Sequence, residues 1–121
     1  MISVTKKFTF EAAHTLPYHE GKCKNLHGHS YRLEVSVIGP RDPQGMVIDF
    51  GNLKKAVKEA VIDKLDHSYL NDVLAFNPTA ENMAEYIGTL LSRLIDNPNS
   101  GRKVEKVRLY ETENSYADWR S

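Results

Sequence analysis

Apolar and polar positions alternate with a period of two in several stretches of this chain. In two others they recur with the period of a helix. Residues 2–13 read as a strand, and continuing its alternation puts Phe8, Phe10, Ala12 and His14 on one side. Residues 27–39 read as a second strand, with His27, His29, Tyr31, Leu33, Val35 and Val37 on one face. The segment 40–45, Pro-Arg-Asp-Pro-Gln-Gly, is a turn signal, and 46–48 is expected to add a short strand. Asp49 is a suitable N-cap for a helix whose apolar positions are Leu53, Ala56, Val57, Ala60, Val61 and Leu65. A loop follows over 66–77. Asn77-Pro78-Thr79 then opens a second helix, with the proline in its first turn and a stripe of Met83, Ala84, Ile87, Leu90, Leu91, Leu94 and Ile95. Residues 104–112 form a third long strand, on which Glu105, Val107, Leu109 and Glu111 share a face, and 116–120 a short fourth. Two strands, two helices and two strands predict an α+β domain with both helices on one face of an antiparallel sheet.

A chain of 121 residues suits one domain, 1–121, with a core small enough that assembly into an oligomer is expected. Sixteen basic residues balance sixteen acidic ones, which argues against a nucleic-acid partner and leaves room for a small phosphorylated ligand. The one cysteine, Cys23, precludes an intramolecular disulfide. The first seven residues lack the apolar stretch of a signal peptide, and no run is long enough to cross a membrane. A cytoplasmic setting is the expectation.

Three histidines carry the chemical signal. His14, His27 and His29 each extend the apolar face of a strand, so their imidazoles emerge together at one edge of the core. A single histidine at such a place is ordinarily a neutral core residue with one hydrogen-bond partner. Three in phase are better explained by a metal ion, for which three imidazoles leave a tetrahedral zinc with one open position. His19 is out of phase and reads as a solvated loop residue. Cys23 lies between Lys22 and Lys24, cations that favour its thiolate. It is a candidate base or nucleophile, or a fourth ligand that would close the site. Asp66-His67 reads either as an oriented proton carrier or as a histidine at a helix C-terminus. Glu111 is either a solvated strand end or a carboxylate set to accept paired N–H donors from a flat ligand.

Phe10-Glu11-Ala12-Ala13-His14, Cys23-Lys24-Asn25-Leu26-His27-Gly28-His29, Leu65-Asp66-His67-Ser68-Tyr69-Leu70-Asn71, Pro78-Thr79-Ala80-Glu81-Asn82 and Glu111-Thr112 follow one another along nearly the whole chain. Together they resemble the 6-pyruvoyltetrahydropterin synthase family. The short spacing from Cys23 to His27 is similar to that of its bacterial 6-carboxytetrahydropterin synthase branch, which acts in queuosine precursor synthesis. The animal pyruvoyl branch has a longer insertion there, and another branch carries glutamate in place of the cysteine. The resemblance implies the tunnelling fold (T-fold): a four-stranded antiparallel sheet with two helices on its outer face, in ββααββ order. Three subunits would close a barrel and two trimers would stack into a homohexamer, with sites at subunit contacts. It implies zinc on His14, His27 and His29, and a lyase that converts 7,8-dihydroneopterin triphosphate to 6-carboxy-5,6,7,8-tetrahydropterin, acetaldehyde and triphosphate. Cys23 would remove a side-chain proton, His67 oriented by Asp66 would relay protons, and Glu111 would hold the amino-pyrimidine edge. Lys22, Lys24 and Arg32 are candidates for the triphosphate. Two rivals stay open. One is the sister activity, which eliminates triphosphate to give 6-pyruvoyltetrahydropterin. The other is a non-catalytic zinc-stabilised binding module.

Overall fold

Strands β1 (Ile2–His14) and β2 (His27–Gly39) pair antiparallel along their whole lengths, from Ile2 opposite Gly39 to His14 opposite His27. The structure, a computed structural model, describes residues 1–21 and 24–121. A two-residue strand β3 (Ser68–Tyr69) lies parallel to β1 at Ala12 and Ala13. On the other side of β2 come β4 (Lys103–Thr112) and β5 (Ser115–Arg120), both antiparallel, giving the sheet order β3-β1-β2-β4-β5. The expected four-stranded antiparallel sheet is therefore a mixed sheet of five strands. The four long strands are antiparallel as expected. The fifth escapes a periodicity argument because two residues cannot show an alternation.

The helices stack on one face of this sheet. Asp49 caps α1 (Phe50–Val57), its Oδ2 accepting from the Asn52 N–H at 3.0 Å. A π-helical segment (Lys58–Ile62) continues α1 into the short α2 (Asp63–Leu65). Leu53, Val57, Val61 and Leu65, four residues apart, are all fully buried. Four residues overshoot one α-helical turn by about 40°. The wider π turn takes up that drift and keeps the four on one face. After α3 (Leu70–Val73), helix α4 (Ala80–Ile95) begins at Thr79, whose side chain accepts from the Asn82 N–H. The core joins Phe10, Tyr31, Leu33, Val35, Val37, Val107 and Leu109 of the sheet to Leu53, Val57, Val61, Met83, Ile87 and Leu91 of the helices. Among the described residues, no helix is long and apolar enough to cross a membrane.

The expected loop over 66–77 holds β3 and α3, and three further local expectations change. Pro78 lies before the cap residue Thr79, outside the first helical turn, which frees its carbonyl from the helical ladder. Residues 46–48 form no strand, because Asp42 Oδ1 accepts from the N–H groups of Gln44 and Met46 and folds this stretch into a turn. Glu105 leaves the core face. Ser36 pairs with Lys106 but Val37 with Val104, so Glu105 is the extra residue of a β-bulge and Val104 takes the buried position. The Glu105 carboxylate accepts from the Ser3 hydroxyl at 2.9 Å instead.

Candidate metal centre

Antiparallel register builds the cluster. His14 ends β1 directly opposite His27, the first residue of β2, while Ala12 faces His29. Side chains two apart on a strand point the same way, so all three imidazoles leave the sheet on the helix side. Their rings meet edge to face, with centroids 4.5 to 5.0 Å apart. The Nε2 of His14 stands 2.9 Å from that of His27 and 3.2 Å from that of His29. Glu111 joins them from β4, its Oε1 3.2 Å from His29 Nε2. A second bulge in the β4–β5 pairing falls at Glu111, between Tyr110 opposite Tyr116 and Thr112 opposite Ser115. One ligand atom from each of His14, His27, His29 and Glu111 lies within 4.8 Å of the others.

The outer ring nitrogens decide what the inner ones can do. His14 Nδ1 is 2.9 Å from the Pro78 carbonyl and His27 Nδ1 is 2.6 Å from that of Asn25. A carbonyl only accepts, so both Nδ1 atoms carry hydrogen. In the neutral rings both Nε2 atoms are then bare lone pairs. Two lone pairs facing each other at 2.9 Å repel unless a cation or proton lies between them. Nitrogens held about 2.0–2.1 Å from one tetrahedral zinc would stand about 3.3 Å apart, close to the spacing here. The donor set fits a metal ion on these grounds. Carbonyls on the outer nitrogens are the usual means of fixing a ligating histidine.

Burial favours the neutral, ligating form of His29. His14 is fully buried, and desolvation lowers the His29 pKa, opposed by the Glu111 carboxylate and reinforced by the other two imidazoles. Tyr31 forms the floor, stacked on Phe10 with centroids 4.9 Å apart and edge-on to His14 and His29. Its hydroxyl is 3.3 Å from His14 Nδ1, and burial pushes its pKa up, so it stays protonated.

Asp66 and His67 lie apart from this cluster in the single chain. His67 Nδ1 is 3.0 Å from Asp66 Oδ1, and its side chain is 80% exposed. Its backbone has φ +58°, a conformation uncommon for a residue with a side chain. The Asp66 carboxyl is held below the usual range, first by the Glu11 N–H and also by His67. A shallow cleft beside His67 runs over Ala13, Gly28 and Ser30, on the sheet face opposite the three imidazoles. Arg32 is on the other face of β2, 3.7 Å from Glu113. Cys23 and Lys22 lie outside the described residues. Lys24 and His19 are exposed in the loop after β1. The Pro78 and Asn25 carbonyls leave no mark in the apolar periodicity, because a backbone acceptor has no residue-type signature. Tyr31 was legible only as a core position.

The family described as 6-pyruvoyl tetrahydropterin synthase matches residues 3–121. The 6-carboxy-5,6,7,8-tetrahydropterin synthase of Haemophilus influenzae is 32% identical, covering 98% of this chain and 99% of its own. That of Synechocystis is 49% identical over 69% of this chain and 70% of its own. Among solved structures, 6-pyruvoyl tetrahydropterin synthase of Caenorhabditis elegans superposes with a TM-score of 0.86 and 30% identity, over 99% of this chain and 95% of that one.

Proposed function

The chain belongs to the 6-pyruvoyl tetrahydropterin synthase family and is an enzyme, and from that premise we propose that it is a zinc-dependent lyase. It converts 7,8-dihydroneopterin triphosphate to 6-carboxy-5,6,7,8-tetrahydropterin, acetaldehyde and triphosphate, as a cytoplasmic step toward queuosine precursors. The convergence of the three Nε2 atoms, with His14 2.9 Å from His27 and 3.2 Å from His29, carries the reading. The names of the Haemophilus influenzae and Archaeoglobus fulgidus relatives, 32% and 38% identical over 98% and 93% of the chain, support this product over the pyruvoyl one.

His14, His27 and His29 would hold the zinc, which supplies Lewis acidity toward the hydroxyls of the substrate's side chain. The remaining work falls to the chain. Glu111 would accept paired N–H donors from the amino-pyrimidine edge and fix the ring beside the histidines. Cys23 would take a side-chain proton as thiolate. His67, its Nδ1 held by Asp66, would relay or return protons. Lys22 and Lys24 would meet the triphosphate. Arg32, on the opposite sheet face beside Glu113, has less claim. The oligomer proposed is a homohexamer with sites at subunit contacts. Supporting it, β1 is flanked by β3 only at Ala12 and Ala13, and no strand flanks β5 on its outer side among the described residues.

One observation favours a second reading of Glu111. Its contact with His29 Nε2 also suits a fourth metal ligand, which would close the site. Chelation separates an enzyme from a zinc-stabilised module. The account expects a chelator to abolish consumption of 7,8-dihydroneopterin triphosphate, zinc to restore it, and the far-ultraviolet circular dichroism to persist throughout. Unfolding on chelation, with no turnover at any zinc level, would favour the module.

A further inference from the structure

The run from Asp66 to Asn71 lies along the outer side of β1 and is bonded to it from Glu11 to Thr15. The Glu11 N–H donates to Asp66 Oδ1 at 2.9 Å, and the His67 N–H donates to the Glu11 carbonyl at 2.6 Å. Ser68 and Tyr69 then pair with Ala12 and Ala13 as β3. At Leu70 the chain turns into α3, so its backbone leaves the strand direction. Asn71 supplies the next contact with its side chain. Its Oδ1 accepts from the Thr15 N–H at 2.9 Å and its Nδ2 donates to the Thr15 carbonyl at 3.0 Å. A primary amide carries the donor and acceptor of a peptide group, so Asn71 extends the backbone pairing to the residue after His14.

That extension matters for where it falls. His14 is the last residue of β1, is fully buried, and precedes the loop that runs to β2. Its ring is oriented from beyond the strand by the Pro78 carbonyl. The same ring can meet His27 and His29 only while its own backbone stays in strand conformation. Ala13 is held by β3 on one side of it and Thr15 by Asn71 on the other.

We propose that Asn71 is a positioning residue for the metal ligand His14: by pairing with both backbone groups of Thr15 it fixes the strand end that aims His14 Nε2 at its partners. The inference rests on the metal-centre reading above. It also joins Asp66-His67 and His14 into one bonded unit, since the segment carrying the first grips the strand carrying the second.

The test is zinc affinity of the full chain, measured by competition with a chromophoric chelator, alongside the visible absorption of the cobalt(II) form. Asn71→Ala is expected to weaken zinc binding about tenfold, in the range seen when outer partners of metal ligands are removed. It should alter the cobalt spectrum while leaving far-ultraviolet circular dichroism intact. Thr15→Val keeps both backbone bonds and is expected to bind zinc as the parent does. Wild-type affinity and an unchanged cobalt spectrum in Asn71→Ala, whatever its melting temperature, would overturn the proposal and leave Asn71 a purely structural residue. Should the alanine variant not fold, Asn71→Asp, which keeps the acceptor for the Thr15 N–H and sets a carboxylate oxygen against the Thr15 carbonyl, is read by the same two outcomes. Failure of the parent chain itself to bind zinc would instead sink the metal-centre reading.

Discussion

At the residue scale, two backbone carbonyls do as much as the histidines they touch. Pro78 and Asn25 each accept from an Nδ1–H and so turn an Nε2 lone pair inward. Glu111 is where this arrangement leaves a choice of roles. As a pterin anchor, its replacement by alanine should raise KM roughly ten- to a hundredfold, the worth of a charge-assisted pair, with zinc stoichiometry unchanged. Loss of zinc from Glu111→Ala would make it a ligand instead. Cys23→Ala should abolish turnover and keep both zinc and fold, and full activity in that variant would remove Cys23 from the chemistry. The histidines were legible from phase alone, since His14, His27 and His29 each continue an apolar alternation that the structure keeps. Glu111 was legible for the same reason. The orienting carbonyls were not, because Pro78 reaches His14 across 64 positions of sequence.

At the scale of elements, close packing and bulges govern how the sheet presents the site. Gly88 of α4 faces the Trp119 indole of β5, and a Cβ added there would overlap the ring. Gly88→Ala should cost roughly 1–3 kcal/mol in urea unfolding, since the helix must lift or the indole must turn. A wild-type unfolding midpoint would show that the indole yields easily. On the open face, Arg108 grips Asp118 through Nε at 2.8 Å and Nη2 at 3.0 Å. The guanidinium holds the Asp118 carboxyl below the usual carboxylate range. A depressed folded pKa means its stabilisation is complete above the unfolded value of about 3.9 and is lost as pH falls through the folded one. Asp118→Asn should therefore lower stability by about 0.5–1 kcal/mol at pH 7, a figure limited by solvent screening. The difference should close as pH falls through the lowered folded pKa of Asp118, and one that persisted in the acid limit would point to packing. Bulges also mark where sequence reading stopped. Glu105 obeys the alternation on paper, but one extra residue between the Lys106 and Val104 pairings moves it off the core. Likewise the π-helical segment hides behind an ordinary helical pattern, because it exists to preserve that pattern.

For the whole molecule, the α+β architecture with both helices on one face followed from the order of periods. The mixed fifth strand did not, because β3 is held by local bonds around Asp66, His67 and Asn71 and not by an alternation of its own. Long strands with open sides at both ends of a sheet are a liability unless something covers them. Sedimentation analysis is expected to give a hexamer, and a stable monomer would remove the shared-site part of the account. The central claim concerns the reaction. Its most direct test is mass spectrometry of the products formed from 7,8-dihydroneopterin triphosphate by the zinc-loaded protein. The account predicts 6-carboxy-5,6,7,8-tetrahydropterin together with acetaldehyde. A 6-pyruvoyl product without acetaldehyde would contradict it and assign the same site to the sister activity.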